Sequence, residues 1–289
     1  MVRPTNGLPD GFGTRAKGGT TMVRAYSYKR NKPRAVQESP TPLRFAPTVQ
    51  PVRVTRKNQN AVGPDFPDRF KAAIQTMISQ GNYSRLVDIH ADMDHRMHSM
   101  NGPVGTRRFL AWHRIYLTKF EAELRIVDSS LFVPYWDWAN DREVPSWLKD
   151  FLPQGTTDLN GNPIALTRFP GADPQTPDLP TQGDLDGASG NTNYLDFTTA
   201  LEQVHNIVHD WVGGVGDDGT PGTMSDIMYS PTDPLFWVHH AFIDLQWARW
   251  QVNNPGQVPP VTGVDRILDP WTETVDDAMS IAALGYAYA

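Results

Sequence analysis

Eight histidines and no cysteine restrict any metal chemistry in this chain to nitrogen and oxygen donors. The histidines occupy two windows, His90, His95, His98 and His113 in the first and His205, His209, His239 and His240 in the second. Imidazole binds copper, zinc, iron and nickel, so such clustering points to metal. His205 and His209 stand in HNIVH, a spacing that places both rings on one helix face about one turn apart. Zinc proteases with this spacing use a Glu beside the first histidine as general base, whereas Asn206 stands there in this chain. His239 and His240 differ by about 100° around a helix. His240 shares its face with Phe236, Ile243 and Asp244 and is the expected ligand, leaving His239 to packing or hydrogen bonding. Three imidazoles per metal leave an open coordination position, and two such sites without a carboxylate favour two copper ions, each able to give dioxygen one electron. Asp88, Asp92 and Asp94 keep a two-metal hydrolase as the competing reading.

The elements that must carry these residues show in the apolar spacing. Pro67 and Asp68 open a helix with the stripe Phe70, Ile74, Met77 and Ile78, which Gly81 ends, and a second helix from near Ser84 carries Leu86, Val87 and His90. From Thr106 the positions Phe109, His113, Tyr116, Leu117, Phe120 and Leu124 predict a long amphipathic helix with His113 facing inward. The aromatic stretch LFVPYWDW, Leu131 to Trp138, closes one end of the core. Residues 139–196 are rich in Gly, Pro and Asp and read as a functional loop region. Helical pattern returns from Thr199 to Trp211 and again at Asp233-Pro234, an N-cap followed by proline. The expected fold is mainly α, a four-helix bundle holding a dinuclear copper site, with long irregular loops and an extended N-terminal arm.

At 289 residues and 39% apolar content the chain can bury a sizeable core. Residues 1–60 hold twelve Lys and Arg against Asp10 and Glu38, while the remainder holds 14 basic and 30 acidic residues. The basic part lacks any aromatic or helical pattern for nucleic acid and reads as residues 1–52, a Pro/Gly-rich extension able to support contacts between copies, ahead of a catalytic domain at residues 53–289. No membrane span and no secretory signal is visible, so a soluble protein is expected, cytoplasmic or exported without its own signal.

Several motifs together resemble the central domain of tyrosinases, catechol oxidases and related type 3 copper proteins. FLAWHRIYL around His113 is similar to the signature of the family's first copper site, with Ala111 where proline is usual, and PYWDW at Pro134 to Trp138 matches the element after it. HNIVH and DPLFWVHHAFID resemble the second site, and LGYAYA, with Tyr286 and Tyr288, resembles the closing tyrosine motif, for which Arg53 is the expected arginine partner. The resemblance covers roughly Arg53 to Tyr288. It implies the ligands His90, His98 and His113 for one copper and His205, His209 and His240 for the other. Many relatives place a histidine where this chain has Val104, so His98 is taken to replace it from a longer loop, with His95 as the spare. The thioether bond of plant and fungal relatives cannot form without cysteine, which makes the chain similar to bacterial members.

The resemblance further implies an enzyme that hydroxylates monophenols and oxidises o-diphenols to o-quinones with dioxygen. Small phenols are the expected partners. Asn206, just after the first ligand of the second site, resembles members that hydroxylate, and Glu202 or Asp196 is expected to hold the water that accepts the phenol proton. Ile227 aligns with the family's gate over the first copper. An o-diphenol-only or o-aminophenol oxidase and a hemocyanin-like oxygen carrier are the alternatives the family allows.

Overall fold

A computed structural model describes residues 54–289 apart from residue 177, so the basic extension and Arg53 lie outside the described residues. Strand β1, Val54–Arg56, opens the described chain. Helix α1, Phe66–Ser79, has Pro67 and Asp68 in its first turn and buries the stripe Phe70, Ile74, Met77 and Ile78. Gly81, at φ 76°, reverses the chain into α2, Asn82–Ala91, which buries Leu86, Val87 and His90. Helix α3, Pro103–Val127, is the long amphipathic helix, and His113 is among its buried residues. Two short helices, α4 at Ser146–Lys149 and α5 at Gln182–Ser189, interrupt the region expected to be loop. Helix α6, Tyr194–Gly213, starts five residues before the expected Thr199, because the Asn193 side chain caps it by accepting from the Asp196 N–H at 2.9 Å. Helix α7 spans Leu235–Asn253, and strand β2, Tyr286–Tyr288, lies near the end of the chain.

Helix α3 packs on α1, α6 and α7, and α6 also meets α7, while α2 lies against α1. The histidines sit on α2, α3, α6 and α7 and on the loop between α2 and α3. Every residue from Pro231 to Trp247 is buried, so the first thirteen residues of α7 run through the core without a solvent face, and only its last turns reach the surface. Its start is fixed by Asp233, whose carboxylate accepts the Leu235 N–H at 2.8 Å and pairs with Arg168 at 2.5 and 2.6 Å. The same Arg168 donates to the carbonyls of Leu148, Lys149 and Phe151, and Arg142 donates to those of Leu179 and Pro180. The connection from 139 to 193 is therefore tied down by guanidinium-to-carbonyl bonds, which replace the periodic contacts its sequence lacks.

The two strands pair in parallel, with Val54 opposite Tyr286 and Arg56 opposite Tyr288. The expected Arg53 lies outside the described residues, and the closing tyrosines are met by Arg56. Its guanidinium lies 3.7 Å from the centre of the Tyr286 ring and donates to Tyr288 Oη at 3.2 Å. It also forms a double bond pair with Glu121 at 3.1 and 3.0 Å and reaches Asp244 Oδ2 at 3.3 Å. Asp244 takes the hydroxyls of Tyr286 and Tyr288, each at 2.6 Å, and Arg114 Nε at 2.5 Å. Two guanidinia and two carboxylates thus neutralise one another inside the core and join both ends of the described chain to α3 and α7. The other end of α7 meets the PYWDW segment, where the Trp136 N–H donates to the Val238 carbonyl at 3.0 Å. Among the described residues no helix is long and apolar enough to cross a membrane.

Candidate metal centre

His90, on α2, and His113, on α3, are brought together with His98, which sits on the loop between those helices. The Nε2 atom of His90 lies 3.2 Å from that of His98 and 3.5 Å from that of His113. In the second group, His240 Nε2 lies 3.0 Å from His205 Nε2 and 3.3 Å from His209 Nε2. A metal about 2.0–2.1 Å from each of three imidazole nitrogens, at tetrahedral to trigonal angles, sets those nitrogens about 3.3–3.6 Å apart. Both triads lie close to that spacing.

The protons on four of the six rings are directed away from the shared centres. Nδ1 of His113 donates to the Phe109 carbonyl at 2.8 Å, that of His90 to Met228 at 3.4 Å, and that of His209 to Met224 at 2.9 Å. His205 Nδ1 donates to the Asn206 side-chain oxygen at 3.0 Å. Each bond fixes the tautomer that leaves a lone pair on Nε2. None of the six rings is more than 9% exposed. Burial depresses the basicity of all six, taking His113 to about 3 and His209 to about 4, so they are neutral near pH 7. Neutral lone pairs facing one another at this range repel, and a cation between them converts that repulsion into ligation. The residues therefore fit a metal ion in each triad.

The triads abut. The His113 ring stacks on that of His240 with centroids 4.5 Å apart at 20°, and His98 and His205 lie 6.3 Å apart at 25°. Phe109 stands between them, 4.8 Å from His113 and 4.9 Å from His205, and Phe236 stacks on His240 at 3.9 Å. The loop that brings His98 in depends on Gly105, because a Cβ there would lie 1.9 Å from the His98 carbonyl oxygen.

The remaining candidates are dispersed. His95 is outside the first triad, half-buried with its ring 6.4 Å from that of Trp112 and 3.8 Å from Asp92. His239 is fully buried beside the second triad, with Nδ1 accepting from the Trp138 indole at 3.0 Å. Glu202, buried one turn before His205, accepts the Ser99 N–H at 2.7 Å and lies 3.8 Å from His98 Nδ1. Burial raises its pKa to about 7 against the lowering effect of the Ser99 N–H. Asp196 is exposed and engaged with Asn193 at the start of α6, so it is not brought to the triads. Asn206 is exposed, with its amide oxygen held on His205. Ile227 is partly exposed and directly precedes Met228, whose carbonyl holds His90. Asp92 caps the turn at Met93–His95, and partial burial, with the charge of Asp158, raises the pKa of Asp88. Sequence reasoning missed Trp138 and the carbonyls of Met224 and Met228. The carbonyls have no residue signature, and Trp138 meets His239 across 101 positions.

Hydrolytic two-metal sites bridge their ions with Asp or Glu, and no carboxylate among the described residues shares either histidine cluster. Set in a mainly helical bundle, an all-imidazole pair of sites places the molecule in the class of type 3 copper proteins, which hold two copper ions. Comparison with known proteins agrees. The family model "Common central domain of tyrosinase" matches residues 80–177 and 173–253. "Tyrosinase" of Streptomyces antibioticus is 32% identical over 78% of this chain and 95% of that protein. "Hemocyanin, units G and H" of Sepia officinalis is 30% identical over 68% of this chain and 37% of that protein. The fold of a functional unit from octopus hemocyanin superposes with a TM-score of 0.62 at 22% identity, covering 81% of this chain and 68% of that one. The chain belongs to the tyrosinase family.

Proposed function

We propose that this protein is a copper-dependent phenol oxidase that hydroxylates monophenols and oxidises o-diphenols to o-quinones with dioxygen. The observation that carries the proposal is the convergence of six Nε2 atoms in two triads, with four of the six proton-bearing Nδ1 atoms tied to acceptors outside. His90, His98 and His113 hold one copper, and His205, His209 and His240 hold the other. Copper held there would relay electrons from the phenol to dioxygen.

The chain's own residues then orient a phenol and remove its proton. Phe109 and Phe236 line the rings of the ligands with apolar surface that keeps water out. Glu202 keeps one carboxylate oxygen, Oε2, without a hydrogen-bond partner, and this atom receives the phenol proton across a water. Asn206 holds His205 by its Nδ1–H and so aims that ligand at the second copper. Ile227, beside the backbone that holds His90, borders the approach to the first copper. The relatives named tyrosinase support this activity, and the hemocyanin relatives make oxygen carriage the reading it must beat.

Copper-reconstituted protein, analysed for metal and then followed for oxygen uptake with a monophenol and with an o-diphenol, tests the proposal. Two coppers per chain with turnover of both substrates is the expected result. Turnover of the o-diphenol alone would reduce the activity to a catechol oxidase, and reversible oxygen binding without turnover would make the protein a carrier.

A further inference from the structure

The second histidine cluster contains one imidazole more than a copper with an open position needs. A ring nitrogen of His239 lies within 4.8 Å of the donor atoms of His205, His209 and His240. Its ring stacks on that of His205 at 5.0 Å and 18°, and its centroid is 5.1 Å from that of His209. His239 is fully buried, so solvent does not draw it away. What separates it from its neighbours is the direction of its proton. The Trp138 indole N–H donates to His239 Nδ1 at 3.0 Å. An indole can only donate, so Nδ1 carries the lone pair and the neutral ring carries its proton on Nε2. His205 and His209 are held in the opposite tautomer, with Nδ1–H donated outward and Nε2 unprotonated. Nε2 of His239 has no hydrogen-bond partner.

We infer that Trp138 is a positioning residue that keeps His239 from becoming a fourth nitrogen ligand of the second copper, and so preserves that ion's open coordination position. This rests on the dicopper reading above. The indole is well placed for the task. Trp136, two residues earlier, is bonded to the backbone of α7 at Val238, and the Trp138 ring packs edge-on against Phe242 at 5.0 Å and 85°. The helix that carries His239 thus also fixes the group that occupies its lone pair. Without the indole, Nδ1 can take the proton and Nε2 regains a lone pair. A fourth imidazole suits the tetragonal preference of Cu(II) and would close the site to small ligands.

Two measurements test this. Nitrogen-15 NMR of metal-free wild-type protein reads the His239 tautomer without any copper. Protonated Nε2 with unprotonated Nδ1 is expected, and the reverse would overturn the inference while leaving the dicopper reading intact. For the copper-loaded protein, Trp138→Phe is compared with wild type and with the double variant Trp138→Phe, His239→Leu, using azide titration followed by optical spectroscopy and extraction of copper by a chelator. Trp138→Phe is expected to bind azide about tenfold more weakly and to release copper about tenfold more slowly, the scale typical of changes around metal ligands. The double variant is expected to restore both. Unchanged azide affinity in Trp138→Phe, or a loss that the double variant does not restore, would refute the role.

Discussion

Replacing Asp244 with Asn should be one of the most costly single changes in this molecule. Asp244 is 4% exposed and accepts four side-chain bonds, from Arg114 Nε, Arg56 Nη1 and the hydroxyls of Tyr286 and Tyr288. Burial alone would raise its pKa, but the two guanidinia and the two hydroxyls outweigh burial and hold it below the ordinary aspartate value. Arg56 keeps its paired bonds to Glu121 when Asp244 is lost. Arg114 does not, because its other polar partners are the neutral groups Gln251 Oε1 and the Ala278 and Asp244 carbonyls, with its guanidinium stacked on Trp247. The variant therefore leaves one buried positive charge without a counter-charge, a change that costs about 3–5 kcal/mol. At about 2–4 °C per kcal/mol for a domain of this size, Tm falls by roughly 6–20 °C. Thermal unfolding of metal-free protein, followed by circular dichroism, measures this without interference from copper. Because the folded pKa is depressed, the contribution is present above the unfolded aspartate value of about 3.9 and is lost as pH falls through the folded pKa. The deficit of the variant should thus be full at neutral pH and should narrow only below about pH 4. Adding Arg114→Met to Asp244→Asn removes the stranded charge and should recover stability. A single-variant deficit under about 1 kcal/mol, or a double variant whose costs simply add, would refute the reasoning.

Other expectations follow from the site and its supports. Gly105→Ala places a methyl group against the His98 carbonyl and should reduce bound copper from two ions per chain towards one, measured by metal analysis of folded protein. His98→Ala should lose the same ion, whereas His95→Ala should retain both, and the opposite result would exchange the two residues as ligands. Tyr286→Phe removes a hydroxyl bonded to a buried carboxylate and should cost about 1.5–3 kcal/mol in chemical denaturation. Glu202→Gln keeps an oxygen for the Ser99 N–H but cannot accept a phenol proton, so it should lower monophenol turnover more than o-diphenol turnover while leaving copper content at two per chain.

The apolar stripes of α1 and α2 were legible because each of these helices has exposed positions that break the hydrophobic pattern, whereas α3, buried throughout from Arg108 to Leu117, was legible by the spacing of its apolar residues over a long span. Helix α7 has no exposed position over its first thirteen residues, so phase alone separates His239 from His240 only weakly, and the difference that matters lies in a tryptophan about a hundred positions away. The start of α6 was misplaced because its cap, Asn193, sits in a Gly- and Asn-rich stretch that resembles a turn. Glu202 and Asp196 are both acids on α6, and their order in sequence cannot tell that one is buried beside His98 and the other is spent on the cap. Likewise the meeting of Arg56 with the closing tyrosines follows from the strand register, which distance along the chain does not disclose. The fold class and the two histidine groups depend on local spacing and residue type, whereas ring orientation depends on backbone carbonyls that any residue can provide.

The pairing of β1 with β2 also has a bearing on how the protein is made. Arg56 leaves the ribosome long before residues 286–288, yet it is buried against both tyrosines of that last strand. At a translation rate of about 5–20 residues per second, the N-terminal partner waits on the order of 10–50 s for its counterpart. During that interval Arg56 and Arg114 can share Asp244 only after α7 has emerged, and the charge cluster lacks its phenols until residue 288 is free. The helices that carry the histidines can form as they emerge, but the core that holds them in register closes only after synthesis has passed that point.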